Sequence, residues 1–358
     1  MHLGTNPWTD GGFEPQRARR AGAPSARRRA AGAAGVSSSR AALGWSLLAF
    51  AASIVAGCGG AALHSDEPDA VSIAAKAHAD SFLTRFDYGK VSELPDGRTL
   101  REYWITAIHT EIEVAPRVRF PAWTFNGTVP GPTLRCRQGD VIRVHFTNEG
   151  TIPHSMHFHG IHKSNMDGVF EQVPPGNSYV YEFTAEPYGL HLYHCHTMPV
   201  KMHIARGLYG VFIVDPPTPR PPMPEMVMMM NGFDTDLNGE DNEFYTINGY
   251  ANYYFAEKPI QLEVGEPVRI YLVNITEIDL INSLHTHAAF FDVYRTGTRL
   301  EPDEYTDTVS MGQGERAILE LRYKFPGKFL FHAHQNEFAE LGWLGLFEVK
   351  EKGSVMLP

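Results

Sequence analysis

The chain is poor in cysteine, in positive charge and in long apolar runs. Its 358 residues include three cysteines, Cys58, Cys136 and Cys195. So few cannot form a disulfide framework. With Cys58 assigned to the N-terminal segment described below, one bond between Cys136 and Cys195 is the most an oxidising compartment could make. Lys and Arg number 31 against 41 Asp and Glu, a net charge of −10, which argues against a nucleic-acid partner. Helical heptads are absent, so long coiled coils are excluded. The small-residue apolar run 41–56 is too short for a comfortable membrane span. Apolar residues, by contrast, make up 43% of the chain and aromatics 11%, enough for two cores at common domain sizes. With 33 Gly and 25 Pro, many turns and short strands are expected.

The N-terminus reads as a targeting segment. Seven arginines (Arg17, Arg19, Arg20, Arg27, Arg28, Arg29 and Arg40) precede the apolar run, and Val55-Ala56-Gly57-Cys58 follows it. This resembles a bacterial lipoprotein signal over residues 1–58, with Cys58 lipidated after cleavage. The alternatives are an ordinary cleaved signal or a short anchor; Arg28-Arg29 matches a twin-arginine signal weakly. The expected location is the cell envelope or periplasm of a bacterium, with membrane attachment only through Cys58. Taking those seven Arg and two acids (Asp10 and Glu14) from the totals leaves 24 basic and 39 acidic residues, a net of −15.

Residues 59–95 read as a linker and an arm, and from about Leu100 the pattern is all-β. Strands are predicted at 141–146, 178–183, 208–214, 226–230, 262–264, 268–273, 317–323 and 328–332. The stretch 216–222, Pro-Pro-Thr-Pro-Arg-Pro-Pro, breaks the pattern as a linker does. The two halves repeat. Thr124-Phe125-Asn126-Gly127, a Gly139-Asp140-Val141 strand start, Asn148 and a His cluster recur as Thr246-Ile247-Asn248-Gly249, Gly265-Glu266-Pro267-Val268, Asn274 and a His cluster. Tandem copies of one β-sandwich are the simplest account.

Ten of the seventeen histidines fall in four clusters: His154, His157 and His159; His194 and His196 around Cys195, with His203 beyond; His285 and His287; His332 and His334. One His-X-His pair is commonly coincidence. Four in repeat-related positions, one holding a Cys, are not. Imidazole with thiolate suits copper or zinc, and a zinc site takes four ligands, not ten. Alternating strand geometry puts Cys195 on one face and His194 and His196 on the other. His157 and His159 share a face. His154, three residues earlier, points away and can join Cys195 and His203 in the His2Cys set of a blue-copper site. Eight imidazoles remain, enough for three more coppers.

These motifs resemble the multicopper oxidase family over residues 100–350, and the architecture resembles its small, two-domain laccases. The resemblance implies two tandem cupredoxin-like Greek-key β-sandwich domains, at 96–216 and 225–358, joined by a linker at 217–224. It implies His154, Cys195 and His203 at a type 1 copper, His157 and His285 at a type 2 copper, and His159, His194, His196, His287, His332 and His334 at paired type 3 coppers. It further implies four coppers per chain, O2 as a partner, and a homotrimer with trinuclear clusters at subunit interfaces. One departure is Leu208, where the family often has an axial Met. Losing that weak donor raises the copper potential.

Asp167, in Met166-Asp167-Gly168, resembles a family acid that delivers protons; otherwise it is a turn residue. Glu337 and Glu340 have weaker support for the same role. His162 and His191, near the clusters, read as residues that support the ligands from behind or as structural ones. Packing is the expectation for Met198, Met202 and the Met226–Met230 run. The leading function is a laccase-like oxidase, coupling one-electron oxidation of a phenol, aromatic amine or metal ion to reduction of O2 to water. Copper nitrite reductase, with one three-histidine catalytic copper, and a non-enzymatic copper carrier are the alternatives. His196, His287 and His332 argue against the first, and eight further ligands would go unexplained in the second.

Overall fold

A computed structural model describes residues 68–353. The signal segment and Cys58 lie outside them. Among the described residues no helix is long and apolar enough to cross a membrane.

The first sandwich contains β1 (Lys90–Glu93), β2 (Thr99–Ala115), β3 (Val118–Phe125), β4 (Leu134–Arg137), β5 (Val141–Asn148), β6 (His157–Phe158), β7 (Ser178–Thr184), β8 (Gly189–His194) and β9 (Tyr209–Asp215). One sheet runs β1-β2-β5-β7 with β3 on β2, and the other β4-β9-β8-β6. The second sandwich contains β10 (Glu225–Phe233), β11 (Phe244–Ile247), β12 (Ile260–Glu263), β13 (Val268–Asn274), β14 (Ile281–Thr286), β15 (Phe291–Arg295), β16 (Glu304–Thr306), β17 (Thr308–Gly312), β18 (Arg316–Leu321), β19 (Gly327–His332) and β20 (Leu344–Lys350). Its sheets run β11-β10-β13-β18-β15-β16 and β12-β20-β19-β14-β17. Both are cupredoxin-like β-sandwiches.

Side-chain alternation decides where each core sits. On β10, Met226, Met228 and Met230 enter the core of the second sandwich, while Val227 and Met229 point into a third cluster with Leu190, Leu192 and Ile213 of the first. The Met run is thus packing, as expected. Met198 is 73% exposed and Met202 37%, which corrects the packing expectation for that pair: Met198 precedes the short helix α2 (Val200–Ala205) and Met202 lies within it, both outside any core.

The expected arm contains a helix that composition hid, α1 (Ala70–Phe82). Its Ala-rich sequence is a strong helix former, and Asp69 caps it by accepting from the Ser72 amide at 3.0 Å. Ala79 joins the second core and Phe82 the cluster between the sandwiches. The Pro-rich stretch 216–224 carries neither helix nor strand. Beside it, Arg135 of β4 pairs with Asp215 at 2.9 Å and Glu225 at 2.6 Å, and Arg269 pairs with Glu225 at 2.9 Å.

Candidate copper centres

β8 ends at His194, so its alternation carries directly into the metal motif. Cys195 lies in the core of the first sandwich, opposite the face of His194 and His196. His203 reaches it from α2 and His154 from the loop before β6. Cys195 Sγ is 3.2 Å from His203 Nδ1 and 3.9 Å from His154 Nδ1, and the two Nδ1 atoms are 3.1 Å apart. All three side chains are buried. Burial lowers the His154 imidazole to about 3, with further lowering from His203 and His109, and lowers His203 to about 4. Both are therefore neutral near pH 7, the form that ligates metal. Burial raises the Cys195 thiol, opposed by hydrogen bonds from Thr197 and Ser155; the Ser155 amide donates to Sγ at 3.4 Å. A soft thiolate with two imidazoles fits copper. Leu208 packs in the same core as Cys195. Cys136 is buried and free, so no disulfide consumes Cys195.

Behind Cys195, the ligand atoms of His157, His159 and His194 converge within 4.8 Å. The His196 ring centroid is 5.3 Å from that of His157. In the second sandwich His285, His287 and His332 converge likewise, with His334 5.3 Å from His285. Cross-strand register makes the match exact in kind: His157 faces His194, and His285 faces His332. Four of the imidazoles are aimed from behind. His194 Nδ1 donates to the Cys195 carbonyl at 3.0 Å and His332 Nδ1 to the Ala333 carbonyl at 2.6 Å. His157 Nδ1 donates to the Asp167 carbonyl at 2.8 Å, and His285 Nδ1 to the Asp307 carbonyl at 3.0 Å. The Nε2 atoms are left for metal. His159 is lowered to about 2 and His194 to about 4, burial being the main cause of both.

The Asp167 carboxylate also lies 3.1 Å from His157 Nδ1. Gly168 permits this approach: a Cβ there would meet the Met156 carbonyl oxygen at 2.0 Å, and its φ is +72°. Glu337 is exposed in the first turn of α3 (Asn336–Glu340), and among the described residues its carboxylate bonds to no histidine of the cluster. His162 donates to the Phe158 carbonyl at 2.8 Å and lies 3.7 Å from the Asp167 carboxylate, and His191 donates to the Pro187 carbonyl at 2.9 Å.

Sequence reasoning missed several residues. Asp307 acts through its main chain, which no motif signals. Ser155 Oγ accepts from the His196 amide at 3.3 Å, and Ser283 Oγ from the His334 amide at 2.8 Å; their shared spacing before His157 and His285 was the available signal. His109 was also missed. Its Nε2 lies 2.8 Å from His154 Nε2, and its ring stacks on Trp123 at 4.9 Å.

The second sandwich has no Cys, and the same hydrogen bonds show what replaces His154, Cys195 and His203 there. The Cys195 amide donates to the Leu208 carbonyl, and the Leu208 amide to that of His203; the Ala333 amide donates to the Trp343 carbonyl, and the Trp343 amide to that of Phe338. Ala333 thus takes the place of Cys195, Trp343 of Leu208 and Phe338 of His203. Asn282, three residues before His285, takes that of His154.

Multicopper oxidase sequence profiles match residues 107–219 and 219–353. A solved structure described as a multicopper oxidase superposes with a TM-score of 0.75 at 54% identity, covering 76% of this chain and 96% of that one. A copper nitrite reductase from Nitrosomonas europaea gives 0.65 at 28% identity, over 70% of this chain and 94% of that one. A copper-containing nitrite reductase of Neisseria meningitidis is 30% identical over 61% of this chain, and the match spans 61% of that relative's length. The chain belongs to the multicopper oxidase family, copper-dependent oxidoreductases.

Proposed function

We propose that the protein is an oxygen-reducing, laccase-like oxidase, taking single electrons from a phenol, an aromatic amine or a metal ion and reducing O2 to water. The observation that carries this reading is the pair of matched four-histidine clusters, His157, His159, His194 and His196 on one sandwich and His285, His287, His332 and His334 on the other. A nitrite reductase, which the relatives also include, needs one catalytic copper with three histidines. It leaves the remaining imidazoles without a task.

Bound copper would supply reversible one-electron storage at the His154–Cys195–His203 site and a multi-electron centre for O2 at the eight imidazoles. The chain contributes the connection: Cys195 is covalently continuous with His194 and His196. It also sets ligand tautomers, since every Nδ1 held by a carbonyl presents Nε2. Reducing O2 consumes protons, and Asp167, partly exposed and against His157, is the carboxylate we assign to handle them. Glu337 is the weaker candidate.

Each converging set draws on one sandwich alone. Exposed apolar side chains flank both sets in sequence: Ile161 follows His159, and Ile281 and Phe290 bracket His285 and His287. Such patches favour burial in an assembly. We assign a homotrimer in which the first-domain set of one chain meets the second-domain set of its neighbour. Export and a lipid anchor at Cys58 complete the reading.

The test is copper content, absorption and gas consumption on one preparation. Four coppers per chain, a blue band with a type 3 band, and O2 uptake driven by a phenol are expected. About two coppers per chain, no type 3 band and turnover of nitrite would overturn it.

A further inference from the structure

We propose that His109, backed by Trp123, is the port through which a donor's electron reaches the copper held by His154, Cys195 and His203. The proposal rests on reading that trio as a type 1 site. The three ligands are sealed, at 0%, 0% and 1% exposure, so a donor in solution has no ligand edge to touch. His109 and Trp123 are half-buried and lie directly against both imidazoles. The Trp123 ring centroid is 4.9 Å from that of His203 and 5.5 Å from that of His154. His109 Nε2 meets His154 Nε2 at 2.8 Å, a shorter gap than a van der Waals contact of about 3.5–4.0 Å.

Tautomer logic orders this contact. His154 turns Nδ1 toward Cys195 and His203, so as a neutral ligand it carries its proton on Nε2 and donates to His109 Nε2. His109 then carries its own proton on Nδ1, which faces Thr151 Oγ1 at 3.2 Å. Gly150 leaves room for the bridge. A Cβ there would lie 2.7 Å from His109 Nε2 and 2.9 Å from His154 Nε2.

The second sandwich is an internal control. Ala107 pairs with Asn148 on β2 and β5, and Met230 with Asn274 on β10 and β13. Two residues on, His109 therefore corresponds to Gly232, and their cross-strand partners Trp123 and Tyr245 correspond to each other. The repeat without type 1 ligands keeps the aromatic cover, with Tyr245 stacked on Phe338 at 4.0 Å. It lacks the bridging histidine.

The step moves one electron. A hydroquinone donor is oxidised by one electron and releases a proton to solvent, Cu(II) becomes Cu(I), and no bond to His109 forms or breaks. The test is anaerobic stopped-flow bleaching of the blue band by hydroquinone, with the type 1 potential measured on the same samples. His109→Phe should keep its copper and blue band yet bleach about tenfold more slowly, while His109→Gln, which can still accept from His154, should recover most of the rate. Losing a hydrogen-bond acceptor on His154 raises the potential and by itself speeds reduction, so slower bleaching separates a port from tuning. Gly150→Ala, which leaves His109 in place but wedges the bridge, should slow bleaching as well. Wild-type rates in blue His109→Phe, or in blue Gly150→Ala where His109→Phe fails to load copper, would overturn the port. A wild-type protein with no blue band would instead overturn the type 1 reading.

Discussion

The two sandwiches share a backbone plan and a cluster of four histidines each, but they differ at the pole where the first holds His154, Cys195 and His203. There the second holds Asn282, Ala333 and Phe338, with Trp343 in place of Leu208. The surrounding hydrogen bonds persist through the exchange. The metal set is therefore an occupant of the sandwich and not a requirement of it. Apolar packing fills the same space: Trp343 and Ala333 are 0% exposed. The eight clustered histidines recur in both repeats and belong to neither hydrophobic core, so core packing does not dictate their identity.

The largest expected effect separates the poles outright. Cys195→Ser should abolish the blue band and substrate oxidation, while the reciprocal Ala333→Cys should create no blue band, because Asn282 and Phe338 offer no imidazole. Absorption spectra of both variants check this, and a blue Ala333→Cys protein would break the comparison.

The next effect is in stability. Trp343→Ala should open a cavity in the second core and cost about 3–5 kcal/mol, with the blue band of the first sandwich intact under native conditions. Denaturant titration followed at the blue band and by fluorescence would show it.

The smallest concerns acid. His154, His191, His194 and His203 are buried in the first sandwich, and burial lowers them to about 3 or 4 from an ordinary 6.5. The unfolded chain binds protons that the folded chain does not. Stability is therefore complete above pH 6.5 and falls as pH drops toward 4, by up to about 2 kcal/mol for each such imidazole at pH 5. In the copper-free protein, hydrogen exchange at pH 5 should accelerate in the first sandwich before the second. Equal acceleration in both would remove the asymmetry.

Much of this was legible in the chain. Alternation placed Cys195 opposite His194 and His196, and the Met226–Met230 run inside, because a strand's period of two is a local property. The repeat located both sandwiches. Helix α1 was not legible as an element, since an Ala-rich stretch reads equally as linker until Ala79 and Phe82 find cores to enter. His109 carried no signal either. It lies 45 residues from His154 and reaches it only through the parallel pairing of β2 with β5.

By itself, then, the sequence determined the strand faces, the family and a set of candidate ligands, all properties of neighbours along the chain. The tertiary structure decided what stands behind and over those ligands: the Asp167 and Asp307 carbonyls, the Trp123 cover, the His109 bridge and the apolar plug of the second sandwich. These depend on contacts between strands far apart in sequence, whose register is set by how whole sheets pack, and no local pattern encodes that.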